Sequence, residues 1–168
     1  MEWKQIEPCQ LKESPFEMIG NQWMLITAQK PDGSVNTMTA SWGGMGVLWG
    51  KNVVFAFIRP QRYTKEFVDT AKEFTLTFFD ESYKKDLAYL GKVSGKDEDK
   101  IAKVGFQVEQ CHGAPVFQQA STAIVCKTLY TQWITPENFE EAALEEKWYP
   151  DKDYHMMYVA EIEAVYQK

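Results

Sequence analysis

The feature that most constrains the fold is a tight turn at residues 30–34 (KPDGS), which lies between two runs of strand-forming residues. Pro31 fixes its own φ at a value suited to a turn, and Asp32 can accept a hydrogen bond from the backbone ahead. Gly33 tolerates a positive φ, which such turns often require. The flanking runs are residues 23–28 and 35–42. The pattern therefore predicts a β-hairpin with a short connection.

Four further segments have the composition of strands: residues 52–58, 74–79, 121–132 and 155–166. The first is almost continuously apolar, as expected for a strand covered on both faces. Arg59-Pro60 ends it, because proline has no N–H to donate to a neighbouring strand. Long crossover helices do not alternate regularly with these strands. We therefore predict a mainly β, antiparallel barrel with short inserted helices rather than a doubly wound sheet.

Capping residues predict where the short helices begin, namely at Thr64, Asp80, Ser94 and Thr135. The second helix is expected to run to about Leu90, and Gly105 is expected to end the third. The fourth has Pro136 at its first helical position. Its predicted inner face is formed by Phe139, Ala142 and Ala143.

Length and composition exclude several classes of protein. The 168 residues suit one domain, which we expect to span residues 1–168. A formal net charge of −6 disfavours a nucleic-acid partner. No signal core and no membrane-spanning apolar run are found, so we expect a cytoplasmic protein without a membrane partner. Cys9, Cys111 and Cys126, an odd number without a C-x-x-C pair, are expected to be reduced and buried.

Common catalytic and metal-binding motifs are missing. The glycines at 43, 44, 46 and 50 lack dinucleotide-binding spacing, because Trp49 stands where the third glycine is needed. The sequence also has no phosphate-binding G-K-[ST] loop and no G-x-S-x-G motif. His112 and His155 are too far apart to form a local ligand cluster. We therefore predict neither a metal site nor a catalytic side chain.

The strand at residues 36–42 (NTMTASW) carries small and polar side chains where a barrel strand normally carries valine or isoleucine. One face has Thr37, Thr39 and Ser41, and the other has Asn36, Met38, Ala40 and Trp42. This pattern indicates either a ligand-binding strand or a strand with a solvated hydroxyl face.

A second polar segment, residues 59–65 (RPQRYTK), lies where a strand passes into a helix. Arg59, Arg62 and Thr64 supply two guanidinium groups and a hydroxyl close to the positive end of that helix. These are the groups that bind a phosphate. The alternative is a basic, solvated turn, but two arginines at a helix start in an acidic chain favour an anion site.

Taken together, these segments resemble the flavin reductase-like family of FMN-binding split barrels, which includes the flavoredoxins. The resemblance spans nearly the whole chain. It rests on the order and spacing of NTMTASWGG at 36–44, RPQRYTKE at 59–66, SGKDEDK at 94–100 and the closing strand from His155. It implies an antiparallel Greek-key split β-barrel, bound FMN, and a homodimer with the FMN at the subunit interface.

The same resemblance implies which residues bind the cofactor. Asn36 and Trp42 would face the flavin, and Arg59, Arg62 and Thr64 would hold its phosphate. Lys100 and His155 would add contacts, with Lys96 as the alternative to Lys100. The full implied set is Asn36, Thr37, Met38, Thr39, Ala40, Ser41, Trp42, Arg59, Arg62, Tyr63, Thr64, Lys65, Lys100 and His155. No general base is needed, because the flavin carries the hydride chemistry.

The implied function is an FMN-binding oxidoreductase that receives reducing equivalents from NAD(P)H or from a redox protein. The sequence does not separate a flavin reductase from an electron carrier. The alternative is a non-catalytic module of the same barrel that holds a flavin or haem. Residues 135–153 look like an acidic helical insertion, and the chain ends soon after its last strand. Both features fall where we expect access to the flavin to be set.

Overall fold

The computed structural model describes residues 2–168, and most of its strands join one eight-stranded antiparallel sheet that forms the split barrel. The strands are β1 (Lys4–Ile6), β2 (Met24–Gln29), β3 (Val35–Ala40), β4 (Gly43–Leu48), β5 (Lys51–Ile58), β6 (Glu73–Phe78), β7 (Val108–Cys111), β8 (Ala114–Phe117), β9 (Thr122–Trp133) and β10 (Met156–Gln167). The sheet order is β3-β2-β6-β9-β10-β5-β4, with β1 added to β10, while β7 and β8 form a separate hairpin. The prediction of a mainly antiparallel β-barrel is confirmed.

The hairpin predicted around residues 30–34 is confirmed. β2 pairs with β3 so that Ala28 lies opposite Asn36. In the turn, Gly33 has a φ of 86°, and the backbone N–H of Ser34 donates to Asp32 Oδ1 at 2.9 Å. The local chemistry of the turn therefore sets the register that places Asn36 at the beginning of β3.

The barrel is open between β3 and β4, the two ends of the sheet, which are joined by Ser41 and Trp42. β4 was not predicted, because its glycines have low strand propensity. Its pairing with β5 gives it order, and glycine is needed where that pairing begins. A Cβ on Gly43 would lie 2.7 Å from the carbonyl oxygen of Phe55. The chain at Gly43, just after the connection from β3, therefore lies so close to the backbone of β5 that only glycine fits there.

Alternating side chains fill the barrel, as the period of a strand requires. Met24, Ile26, Leu76, Phe78 and Ile124 all lie in the interior cluster with almost no exposed surface. The opposite faces are covered by a second layer in which Leu25 of β2 packs with Leu87 and Leu90. This layer holds a helix against β3 and brings the end of that helix to the barrel opening.

The helices are α1 (Thr64–Ala71), α2 (Lys84–Lys92), α3 (Lys100–Lys103) and α4 (Ala142–Trp148). Single 3₁₀ turns lie at Pro8–Gln10, Glu81–Tyr83 and Pro136–Asn138, and a π-helical segment spans Phe16–Gln22. In residues 2–168, no helix has both the length and the apolar composition needed to cross a membrane.

Three of the predicted helix starts are displaced. Thr64 is the first residue of α1 rather than its cap, which is Tyr63. Asp80 precedes a 3₁₀ turn, so α2 begins only at Lys84 and runs past Leu90. α3 is capped by Asp99, whose Oδ1 accepts from the N–H of Ala102 at 3.1 Å, and not by Ser94. Asp99 rather than Ser94 caps α3 because its carboxylate reaches a free N–H of the first turn.

The fourth predicted helix was the least accurate. Thr135 precedes only a single 3₁₀ turn, and α4 starts at Ala142. Ala142 and Ala143 are exposed rather than inward-facing, and Phe139 is half-buried against Tyr149. Alanine side chains bury too little apolar area to fix a short helix, so contacts beyond its end decide its position.

β7 and β8 form a hairpin that was not among the predicted strands. His112 and Gly113, with φ values of 52° and 76°, make the connection between paired Cys111 and Ala114. Positive φ at both central residues suits a two-residue hairpin, but histidine is not a residue that predicts one.

All three cysteines are free thiols. Cys111 and Cys126 are buried as predicted, and burial raises the pKa of both. Cys9 is exposed, so the prediction of burial was wrong for that residue.

Candidate functional site

Two adjoining cavities lie at the opening of the barrel and share Arg59 and Arg62 in their walls. The first, here called the basic cavity, has a volume of about 280 Å³. Its lining includes Asn36, Tyr63, Thr64, Gly95 and Lys100. The second, here called the aromatic cavity, has a volume of about 360 Å³. It is lined by residues 38–42 together with Phe57, Trp148 and His155.

The basic cavity is built where β3, the start of α1 and the end of α2 meet. The amide nitrogen of Asn36 donates to Thr64 Oγ1 at 2.9 Å, and both residues are buried. This bond ties the first turn of α1 to β3. The backbone N–H groups of Lys65 and Glu66 bond to the carbonyls of Arg62 and Tyr63, so side chains carry more of the cavity's polarity than the helix end does.

Two glycines bring the chain after α2 directly against β3. A Cβ on Gly95 would lie far inside van der Waals contact with Asn36 Oδ1. A Cβ on Gly91 would lie 3.0 Å from the Cβ of Thr39. Residues 91–95 therefore form a cavity wall. Side chains at positions 91 and 95 would clash with β3 and force the wall away from it.

Arg62, which is half-buried, and Lys100, which is buried, place two positive charges beside the basic cavity. Arg62 Nη1 donates to the carbonyl of Gly91 at 2.8 Å, and Lys100 Nζ donates to those of Leu90 and Val93 at 2.7 and 2.8 Å. These carbonyls lie at the negative end of α2, which favours cations. In residues 2–168, neither side chain forms a salt bridge with a carboxylate.

The pKa values of both groups are lowered, and no neighbouring carboxylate offsets the effect. Burial lowers the pKa of Arg62 from its ordinary value. Burial, and secondly the charge of Arg62, lower the pKa of Lys100 to about 8. An anion in the basic cavity would offset both effects, because an opposite charge favours the protonated form.

Arg59 borders both cavities, but its hydrogen-bond donors are directed toward residues 148–153. Its Nη1 donates to Asp153 Oδ1 at 2.6 Å, and its Nη2 donates to the carbonyl of Trp148 at 2.9 Å. The guanidinium also lies 5.0 Å from the centre of the Tyr149 ring. Arg59 therefore holds the segment after α4 more directly than it reaches into the basic cavity.

The aromatic cavity has a flat, apolar wall. The Trp42 ring meets that of Trp148 edge to face, with centroids 5.0 Å apart, and lies 5.0 Å from the ring of His155. Trp42 and Trp148 are 37% and 42% exposed, so both rings stand at the mouth. Thr39, Ala40 and Ser41 lie along the same cavity, and the Thr39 hydroxyl donates to the carbonyl of Leu87. This arrangement suits a planar ligand with polar edges.

His155 is held neutral inside this wall. Its Nδ1 lies 2.8 Å from the hydroxyl of Tyr149. Burial, then Arg59 and more weakly Arg62, lower the pKa of His155 to about 4, against an opposing effect of Asp153. The neutral ring can serve as a hydrogen-bond donor or acceptor without adding charge to the cavity.

The neutral state of His155 predicts a pH dependence of stability. In the unfolded chain this histidine takes up a proton below about pH 6.5, whereas in the folded chain it does so only near pH 4. The free energy of unfolding should therefore fall as the pH is lowered through that window, because the unfolded state binds the extra proton. Urea denaturation of His155→Gln should show a weaker decline there than the wild type. His112→Asn, on the β7–β8 turn, is the control and should keep the wild-type decline.

The remaining residues expected at the site are divided between the cavity walls and the rest of the protein. Met38, Ala40 and Ser41 line the aromatic cavity. Thr37 is buried away from it, with its hydroxyl 2.8 Å from that of Thr27. Lys65 lies outside both cavities, where it pairs with Asp69 at 2.6 Å and faces the Trp133 ring.

The structure also distinguishes the two candidate lysines of the 94–100 segment. Lys96 pairs with Glu66 at 2.8 Å and lies 4.9 Å from the centre of the Tyr63 ring. Lys100 instead lines the basic cavity. Of the two, Lys100 is the one placed for contact with a ligand.

Several lining residues were not predicted as site residues, among them Phe57, Gly91, Gly95 and Trp148, and neither was Asp153, which pairs with Arg59. Gly91 and Trp148 carry no local signal, because their roles depend on contacts with Thr39 and Trp42, which are distant in the sequence. Asp153 was visible only as one acid among many in residues 135–153.

Other parts of the surface have fewer groups that could bind a ligand or a metal. A larger depression of about 440 Å³ lies between the β2–β3 turn and the β7–β8 turn. Its Lys30 is already paired with Glu66 at 3.8 Å. Within residues 2–168, no group of three or more histidine, cysteine or acidic side chains converges as a metal site.

Comparison with solved structures shows the same fold in flavin-related proteins. The FMN-binding domain of a flavin reductases-like enzyme from Shewanella baltica OS155 aligns with a TM-score of 0.70 at 15% identity, covering 99% of this chain and 77% of that chain. Flavoredoxin of Desulfovibrio vulgaris (Miyazaki F) aligns with a TM-score of 0.69 at 20% identity, covering 95% and 75%. The styrene monooxygenase flavin reductase of Pseudomonas putida S12 gives 0.63 at 17% identity, covering 86% and 77%.

At such identities these likenesses show the fold alone. No curated protein matched the chain by sequence. A family model described as "Flavin reductase like domain" matches residues 17–168. Because that match covers most of the chain, including every residue of the two cavities, this protein belongs to the flavin reductase-like domain family.

Proposed function

We propose that this protein binds FMN across the two cavities and works as a flavin-dependent oxidoreductase. The observation that carries the proposal is a pair of cations, the half-buried Arg62 and the buried Lys100, which have no carboxylate partner in residues 2–168. They lie in a cavity that adjoins an aromatic-walled one. A ligand with an anionic end and a flat ring end matches this division.

The basic cavity fits the phosphate of FMN. Arg62 and Lys100 supply positive charge, and a guanidinium is well suited to phosphate oxygens. Thr64 Oγ1 accepts from Asn36, which leaves its own hydroxyl hydrogen to donate. Gly95 leaves open the space beside Asn36 that a Cβ would fill. Tyr63 and Arg59 complete the border, and Lys65 takes no part.

The aromatic cavity fits the isoalloxazine ring. Trp42 and Met38 supply apolar surface, and residues 39–41 supply backbone groups and the Ser41 hydroxyl for the ring edge, because the Thr39 hydroxyl already donates to Leu87. If the phenol of Tyr149 donates to Nδ1 of His155, the histidine hydrogen lies on Nε2, and the ring can donate from that side. These residues orient the ring and limit its contact with water.

The bound flavin would supply the hydride and electron chemistry, so the protein needs no general base. The contribution of the chain is binding, orientation and electrostatics. Arg62 lines both cavities and places positive charge between them, and positive charge near a flavin stabilises its reduced, anionic form. The electron donor is NAD(P)H in a reductase or another redox protein in a carrier of the flavoredoxin type.

The first experiment is a visible absorption spectrum of the purified protein with FMN, followed by addition of NADH or NADPH without oxygen. Flavin bands that bleach with either nucleotide would support the reductase. Bands that bleach only with dithionite would support an electron carrier reduced by a protein. Failure to take up FMN would overturn the proposal, and a haem spectrum in its place would support the binding-module alternative.

We also propose that two copies of the chain form a homodimer, as the family resemblance implies. β4 is an edge strand, and Val47 and Trp49 at its end are 72% and 58% exposed. Trp49 packs edge to face on Tyr130, which enlarges this apolar patch. An unpaired edge beside exposed apolar side chains is typical of an interaction surface. Light scattering should give twice the 19.4 kDa mass of one chain, and a mass equal to one chain would contradict the dimer.

A further inference from the structure

The outer wall of the aromatic cavity is formed by residues 148–155, which come from the acidic segment before β10. Trp148 and His155 both line the cavity, seven residues apart in the chain. Trp148 meets Trp42 across the mouth, while His155 meets it deeper inside. The wall therefore depends on how this segment is held.

The segment has little stability of its own. α4 is seven residues long, has no side-chain cap and contains no buried residue. Helices this short are unstable in water without tertiary contacts. The seven acidic side chains and two lysines of residues 135–153 also give that stretch most of the net negative charge of the chain. Its position must therefore come from contacts made outside α4.

Those contacts centre on Arg59 and Asp153. Arg59 donates to the carboxylate of Asp153 and to the carbonyl of Trp148. One side chain therefore holds both ends of residues 148–153. Gln61 donates to the second carboxylate oxygen of Asp153 at 2.7 Å. Tyr149 is buried between them, under the guanidinium and against His155.

From this geometry we infer that Arg59 and Asp153 are positioning residues that hold Trp148 across the mouth of the aromatic cavity, where Trp148 screens a bound planar ligand from molecules in solution. The inference rests on the proposed function for the identity of that ligand. Arg59 thereby affects the aromatic cavity indirectly, by holding residues 148–153 in place. Arg62 and Lys100 are the residues left for the phosphate.

The holding role is tested first without any ligand. Asp153→Asn keeps the size of the side chain and removes the charge that pairs with Arg59. Hydrogen–deuterium exchange of residues 142–153 should become at least about tenfold faster, because a lost charge-assisted bond opens the segment more often. The control is Glu161→Gln, which removes another ion pair, with Lys51 at 2.7 Å, far from this segment. Unchanged exchange in Asp153→Asn would overturn the inference whether or not flavin binds.

The screening role is tested with bound FMN by iodide quenching of flavin fluorescence at high, constant ionic strength. Both Trp148→Ala and Asp153→Asn should increase the quenching constant severalfold. Phe16→Ala removes an exposed aromatic side chain from the π-helical segment, outside both cavities, and should leave the quenching constant unchanged. Equal quenching in Trp148→Ala and wild type would overturn the inference but not the proposed function. Wild-type protein that binds no FMN would overturn both.

Discussion

Arg62→Ala should weaken FMN binding by about tenfold to 100-fold and weaken riboflavin binding much less. A hydrogen bond to a charged group contributes about 1.5–3 kcal/mol, and each 1.4 kcal/mol changes affinity about tenfold. Riboflavin lacks the phosphate, so it has no charge-assisted bond to the guanidinium to lose and keeps only the ring-side contacts of the aromatic cavity. Fluorescence titration with both flavins measures the two affinities in the same buffer.

The matched control for this variant is Lys65→Ala. It removes a positive charge from the same seven-residue motif, but from a side chain that pairs with Asp69 outside both cavities. We expect its FMN affinity to equal that of the wild type. An equal loss of FMN and riboflavin affinity in Arg62→Ala would mean that Arg62 supports the fold of the site rather than the phosphate. Weaker FMN binding in Lys65→Ala would place the phosphate elsewhere.

Gly95→Ala should have a comparable effect on FMN binding for a steric reason. The added Cβ would overlap Asn36 Oδ1, so Asn36 must leave its place beside Thr64 or the wall formed by residues 91–95 must move. Overpacking of this kind lowers the free energy of unfolding by about 1–3 kcal/mol. We expect FMN affinity to fall at least about tenfold, measured by titration, together with a lower urea midpoint.

Gly20→Ala is the control for the second variant. Gly20 lies in the π-helical segment, and a Cβ added there would have no heavy atom within 4 Å, so the methyl group meets open space. This variant should bind FMN like the wild type. If Gly95→Ala also bound FMN like the wild type, Asn36 would not be needed at its present position for binding. The proposed phosphate end of the site would then need revision.

The parts of the fold that the sequence predicted well are those that local chemistry determines. The turn at residues 30–34 has its proline, aspartate and glycine at adjacent positions, and no distant contact is needed to form it. The long strands β5, β9 and β10 are similarly visible in their own composition. By contrast, β4 is rich in glycine and exists because β5 lies beside it. The start of α4 was misplaced because the contacts of Tyr149 and Arg59, rather than caps, fix its position.

The site shows the same division. The motif at residues 59–65 was predicted to bind the cofactor, and in the structure its residues have different surroundings. Arg62 lines both cavities, Arg59 bonds to residues 148–153, and Lys65 pairs with its own helix. The spacing of residues within a motif cannot distinguish these directions. Asn36 and Thr64 are 28 residues apart and meet only because β3 and α1 share the barrel opening.

The negative charge of residues 135–153 should affect the association rate of the electron donor. The acidic stretch contributes to the outer wall of a mouth beside which Arg59 and Arg62 lie, so a polyanionic dinucleotide such as NADPH first meets a repulsive field. That field extends over about 8 Å at physiological salt and shortens as salt is added. Stopped-flow association of NADPH with the flavin-loaded protein should therefore become faster with ionic strength, whereas a redox protein with a basic surface should associate more slowly. The sign of the salt dependence thus reports which class of electron donor the acidic stretch attracts.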